Sequence, residues 1–174
     1  MSKSSIEGQG VPDITGQLQG LEINQFAPAP NVVGFRLLKL TNLLSQPFFK
    51  RIHKQHAISL NEWRAMVVLA NKPGSAAQDI AEATGLIAMN VSRAVAELRK
   101  AGRISTSRDP KNHRRTLLWL TPEGEKLFSE IAPYSAMKAQ EFYGSLGSEE
   151  LEAFSRQLER LIRKAEEMLD SDAD

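Results

Sequence analysis

The stretch that decides the fold is residues 75–124, SAAQDIAEATGLIAMNVSRAVAELRKAGRISTSRDPKNHRRTLLWLTPEG. Ala77, Ile80, Ala81 and Thr84 fall on one side of a short helix that stops at Gly85. Ser75 and Gln78 have the spacing of a capping box, and Asp79 suits the positive end of that helix. A second helix follows over residues 88–100, with Val91, Val95 and Leu98 as its apolar stripe and Gly102 in the left-handed position beyond its end. The period then changes from helical to two. Residues 103–108 and 116–120 read as strands, joined by a polar, basic loop over residues 109–115. Thr121-Pro122 opens another helix, with Thr as the cap and Pro in the first turn.

Working outward, residues 59–72 form a helix that a Ser59–Glu62 capping box starts and Pro73-Gly74 ends; Trp63, Met66, Val67 and Ala70 are its buried face. Residues 32–56 read as one helix striped by Val33, Leu37, Leu40, Leu44 and Phe48, with Pro47 as a bend. The helix begun at Thr121 runs towards Phe142-Tyr143 with a kink at Pro133, and Gly147-Ser148-Glu149-Glu150 starts the last one. That last helix carries Leu151, Phe154, Leu158, Leu161, Ala165 and Met168 near heptad spacing. Residues 1–30 are rich in Gly, Gln, Ser and Pro and read as a mobile or docked arm, with Ile14, Leu18, Leu21, Ile23 and Phe26 apolar enough to pack.

The fold class is therefore mainly α with a small β-hairpin wing: a winged helix-turn-helix between long N- and C-terminal helices. The expected divisions are an arm over residues 1–31, a helical dimerisation region over 32–56 and 122–169, a winged helix-turn-helix over 57–121 and an acidic tail over 170–174.

The formal net charge is only +1, but it is unevenly spread. Residues 86–121 hold eight Lys and Arg against two acids, and residues 148–174 hold nine acids against four bases. A basic centre beside an acidic end suits one anionic partner surface. In a helix-turn-helix the second helix enters the major groove of DNA. Its exposed side here carries Met89, Asn90, Ser92 and Arg93, with Asn90 suited to adenine and Arg93 to guanine or phosphate. Ser75, Gln78 and Ser92 are candidate backbone contacts. A charge run is usually a solvated face. On a hairpin that directly follows a helix-turn-helix, Arg108, Lys111, Asn112, His113, Arg114 and Arg115 are better read as a wing whose arginines enter the minor groove, Arg114 first and Arg115 second. Arg99, Lys100 and Arg103 suit either phosphate contact or a solvated surface.

These words resemble the MarR family of dimeric winged-helix transcriptional regulators: AAQDIAEATGL, MNVSRAVAELRKAGRISTSRDP and NHRRTLLWLTPEGEKL, the last being the most specific. The resemblance extends to SLNEWRAMVVLA and LGSEELEAFSRQLERL and covers roughly residues 33–169. It implies a homodimer on double-stranded DNA, formed through the first and last helices, with Val33, Leu37, Leu151, Phe154, Leu158, Leu161 and Ile162 as candidates. It also implies a repressor released from a (pseudo)palindromic operator by a small aromatic or phenolic effector. Arg36, His53, His56, Trp63, Met66 and Tyr134 are the candidate lining. One departure concerns the wing, where the family pattern is Asp-x-Arg and this chain has Asn112, His113 and Arg114. Asn112 retains an oxygen to accept from the guanidinium but not the charge.

Absence of cysteine excludes disulfides, thiolate metal sites and thiol redox sensing. Nothing resembles a nucleophile–base pair, a phosphate-binding loop or a metal site, so neither an enzyme nor a cofactor is expected. No run approaches the ~20 apolar residues of a transmembrane helix, and no signal-peptide core precedes the body, so the expectation is cytoplasmic. The competing reading is a winged-helix protein-interaction module without specific DNA binding.

Overall fold

The computed structural model describes residues 30–171. The expected arm therefore lies, apart from residues 30 and 31, outside the described residues, as do residues 172–174 of the acidic tail. The chain divides into two units, Met1–Leu44 and Ser45–Asp174. In the first, helix α1 (Pro30–Pro47) begins and leaves Val33, Phe35, Leu38, Leu43 and Leu44 exposed.

The second unit holds the rest. The single helix expected over 32–56 is interrupted. After Pro47 the backbone widens into a π-helical turn (Phe48–His53), then closes through α2 (Lys54–His56). Proline has no N–H for the usual helical bond, which accounts for the change of pitch at that point. Ala57 ends this segment in the left-handed region at φ 48°.

Helix α3 (Leu60–Asn71) starts as the sequence indicates. The Ser59 N–H donates to Glu62 Oε2 at 2.8 Å and the Glu62 N–H to Ser59 Oγ at 3.2 Å. Its inner face buries Trp63, Ala65, Met66 and Leu69. Helix α4 (Ala77–Thr84) and helix α5 (Ala88–Lys100) pack against it, with Ile80, Val91, Ala94 and Leu98 buried. Gly85, at φ 66°, makes the turn between them.

The start of α4 departs from expectation. Ser75 does not cap it. The Gly74 N–H donates to the Leu118 carbonyl at 2.9 Å and the Leu118 N–H to the Ser75 carbonyl at 3.0 Å, so Ser75 is drawn into the sheet as a bridge partner. Its hydroxyl donates to the Lys72 carbonyl, and the residue is 1% exposed. The cap position passes to Ala76, whose N–H donates to Asp79 Oδ2 at 2.7 Å.

Helix α5 closes through two nested bonds, Gly102 N–H to the Arg99 carbonyl and Arg103 N–H to the Leu98 carbonyl. That is a Schellman ending with Gly102 at φ 69°. Strands β1 (Ile104–Arg108) and β2 (Thr116–Leu120) pair antiparallel, from Ile104 opposite Leu120 to Arg108 opposite Thr116. Ile104 and Leu118 enter the core with Ile58, Met66, Leu69, Ile80, Leu98, Leu127 and Ile131. Fully burying each such side chain contributes about 1.5–3 kcal/mol.

Helix α6 (Pro122–Tyr143) begins with Thr121 Oγ1 accepting from the Gly124 N–H. Gly124 is required by close approach: a Cβ there would lie 2.0 Å from the Arg103 carbonyl oxygen. The helix continues through Pro133. Helix α7 (Ser148–Ser171) buries no residue, and Leu161, Ile162, Met168 and Leu169 are all exposed.

Candidate nucleic-acid interface

Three parts of the sheet and helices build this surface: the first turn of α4, the outer face of α5 and the β1–β2 loop. The inner stripe of α5 is Val91, Ala94 and Leu98. Helical spacing then makes Met89, Arg93, Ala96 and Lys100 its outermost row, and all four are exposed. Ser92 is exposed and Asn90 half-buried, and neither makes a side-chain hydrogen bond among the described residues. Arg93 likewise has no such partner. Gln78 is exposed on α4 and donates to Glu82 Oε1 at 3.0 Å. Ser75 does not join this surface, because the β-bridge turns it inward; its candidacy as a DNA contact is corrected.

The wing tip is shaped by two short side-chain-to-backbone bonds. Asp109 Oδ1 accepts from the Lys111 N–H at 2.8 Å, and Asn112 Oδ1 accepts from the Arg114 N–H at 3.2 Å. Both are Asx-turns, which fix a loop locally. The Asn112 oxygen thus holds backbone and not the guanidinium expected from the family pattern. Backbone bonds from Asp109 N–H to Arg115 O and from Arg115 N–H to Asn112 O complete the loop. Arg108, Lys111, His113 and Arg114 are exposed, and their side chains make no hydrogen bond or ion pair among the described residues.

Arg115 behaves differently. Its Nη2 is paired with Asp79 Oδ2 on α4. The Asp79 carboxyl sits below its ordinary pKa, first because it accepts from the Ala76 N–H and further because of the Arg115 guanidinium, against an opposing desolvation. Arg115 therefore ties the wing to the start of the helix-turn-helix. Arg103 is also engaged internally: Nη2 donates to the His56 carbonyl at 2.9 Å and Nη1 lies 3.9 Å from Glu62 Oε1. The Arg103 side chain is only 17% exposed, which corrects its reading as a phosphate contact or solvated cation.

The residues of the expected effector lining fall in both units. Arg36 is exposed in the first unit. In the second, Met66 is 0% exposed in the core and has no free face, which corrects its assignment. Trp63 is 7% exposed and stacks on Phe128 with centroids 5.2 Å apart. His53 Nδ1 is 3.0 Å from the Ile58 carbonyl, and His56 Nδ1 is 3.8 Å from Glu130 Oε2. Tyr134 lies under the Arg51 guanidinium at 4.5 Å. Of the dimerisation candidates, Val33, Leu161 and Ile162 are exposed and Leu37, Leu151, Phe154 and Leu158 half-buried. Among the described residues no group of three His, Asp or Glu is placed to hold a metal, and no helix is long and apolar enough to cross a membrane.

Sequence reasoning missed Asp79 as the wing's anchor, although its place three residues after the cap is an N-terminal signal. It also missed Ile87, which stands 65% exposed at the head of α5.

Two short helices joined by a glycine turn, with a basic hairpin bonded back to the first of them, define a winged helix-turn-helix protein. The profile of the MarR family matches residues 58–115. The transcriptional regulator HosA of Escherichia coli O111:H- is 29% identical over 126 residues, covering 72% of this chain and 90% of that protein. A structure of Bordetella bronchiseptica BpsR, described for regulation of its DNA binding by 6-hydroxynicotinic acid, matches with a TM-score of 0.66 at 22% identity over 74% of this chain and 91% of that one. The S. aureus MepR–DNA complex matches with a TM-score of 0.67 at 20% identity over 75% and 96%. Over residues 58–115 the chain is similar to the MarR family of winged-helix transcriptional regulators, and its fold is theirs.

Proposed function

We propose that this protein is a sequence-specific regulator that binds double-stranded DNA as a homodimer, a repressor released from a (pseudo)palindromic operator by a small aromatic or phenolic acid. The observation that carries this reading is the sorting of its cations. Arg103, at the root of the hairpin, and Arg115, where the loop enters β2, are matched to carboxylates. Arg93, Arg108, Lys111 and Arg114, on the outer row of α5 and on the hairpin, are matched to none among the described residues. Unmatched cations on the two elements that meet DNA in a winged helix are suited to phosphates and the minor groove. Met89, Asn90, Ser92 and Arg93 face the bases; Gln78 and the wing residues Asn112 and His113 lie against the backbone.

The apolar row of α7, with no buried residue of its own, supports pairing with a second copy. For the effector, Tyr134 with Arg51 offers an aromatic face beside a cation, which suits a hydroxylated aromatic carboxylate of the kind that regulates BpsR.

The test is fluorescence-anisotropy titration of the DNA upstream of the protein's own gene, with scrambled duplex as competitor. Selective binding that falls steeply with salt is expected, because neutralised phosphates release counterions. Equal, salt-insensitive affinity for both duplexes would overturn the proposal. Phenolic acids added to the complex should then lower the anisotropy.

A further inference from the structure

Across residues 57–121, Ile87 and Met89 are the only large hydrophobic side chains among the described residues that stand exposed, at 65% and 66%. Local chemistry argues against both placements. Ile87 holds the N-cap position of α5, with φ −62° and ψ 146°, and makes no side-chain bond there. Ser, Thr, Asp or Asn would satisfy a helix amide at that position, and Ile cannot. No acid in the first turn compensates. Met89 leads the outermost row of the helix, ahead of Arg93. A locally unfavourable residue in an otherwise well-formed element points to a use in binding.

Chemistry narrows that use. The leading residues of the second helix meet base edges in the major groove. An exposed apolar side chain finds one apolar partner there, the C5-methyl group of thymine, and the side chain best matched to adenine is Asn or Gln. Asn90 stands between Met89 and the buried Val91, its amide without a hydrogen-bond partner among the described residues. Against a G·C pair the same apolar atoms would cover the cytosine amino donor and leave it unsatisfied. We infer that the leading turn of α5 reads A·T pairs, with Ile87 and Met89 packed on thymine methyl groups and the Asn90 amide on adenine. This rests on the DNA-binding reading above and adds the base identity of the half-site.

The test starts from a randomised duplex library selected with the full-length protein. The best duplexes are then remade with uracil at single thymines, which removes the methyl group and keeps the pairing. A·T pairs should dominate the core of each half-site, and uracil at a contacted position should weaken binding about fourfold per methyl. Ile87→Ser and Met89→Gln should each bind the thymine duplex more weakly and lose part of the uracil discrimination, with the melting temperature unchanged in Met89→Gln, whose side chain is exposed, and raised in Ile87→Ser, whose hydroxyl supplies the missing cap. Equal affinity for thymine and uracil duplexes, or G·C pairs at the core, overturns the inference and leaves the regulator reading standing. No enrichment of any duplex overturns both.

Discussion

Two cations of the wing are spoken for, one at its root and one where the loop enters β2. Arg103 donates to the His56 carbonyl and faces Glu62, and Arg115 is paired with Asp79. At the tip, Lys111, His113 and Arg114 project from a loop whose own polar atoms are spent on its backbone. The two sets are a few residues apart and share a composition, yet one is part of the fold and the other makes no such pairing among the described residues. Charge counting alone does not separate them; partner geometry does.

The largest expected break is at the root. Gly124→Ala places a methyl group 2.0 Å from the Arg103 carbonyl oxygen, so the start of α6 must move away from the hairpin. Overpacking of this kind costs about 1–3 kcal/mol and occasionally more, and the backbone partner puts this case at the upper end. Chemical denaturation measures it, and unchanged stability would mean that the two segments are not in contact. Arg114→Ala and Arg103→Met then form a matched pair. The first should weaken DNA binding by about 1–3 kcal/mol with stability intact. The second should cost about 1–3 kcal/mol of stability, since Glu62 and the His56 carbonyl lose a donor. If the two variants exchanged phenotypes, the division between root and tip would be wrong.

Asp79→Asn sharpens the comparison through pH. The folded carboxyl titrates below its ordinary value, so its contribution is complete above the unfolded pKa and is lost as pH falls through the folded one. The stability gap between wild type and variant should be about 1 kcal/mol near neutrality and should close below about pH 4, the ordinary aspartate range. A gap constant down to pH 2 would deny the carboxylate its role. The smallest effect belongs to Asn112→Asp, which puts at the tip the residue of the MarR pattern that this chain resembles. An Asp oxygen accepts from the Arg114 N–H as well as the amide does, so stability should change by no more than about 0.5 kcal/mol. A larger gain would show that the guanidinium is the true partner.

The features legible in the sequence were those set by neighbours within one helical turn. The Ser59–Glu62 box, the Thr121 cap, and the left-handed Gly85 and Gly102 all appear where the local pattern puts them. Ser75 has the same local pattern and failed, because a strand distant in sequence claimed its backbone first. Arg115 looked as free as Arg114, and only a pairing 36 residues away distinguishes them. Periodicity puts Trp63 and Met66 on the core face of α3 but passes over the buried Ala65 and Leu69 in favour of the half-buried Val67 and Ala70, and it does not tell that Met66 is fully enclosed while Trp63 meets Phe128. Ile87 escaped notice because an isoleucine beside a helix start ordinarily packs inward.

The backbone bridge between Gly74, Ser75 and Leu118 has a kinetic meaning as well. The two amide protons it ties up, on Gly74 and Leu118, are shielded only while the hairpin is seated against the start of α4. Local opening of that seam would release both to solvent at a common rate, distinct from the deeper amides of α3 and α5. Deuterium uptake at this pair is therefore a built-in gauge of hairpin attachment, readable on the protein with no DNA present.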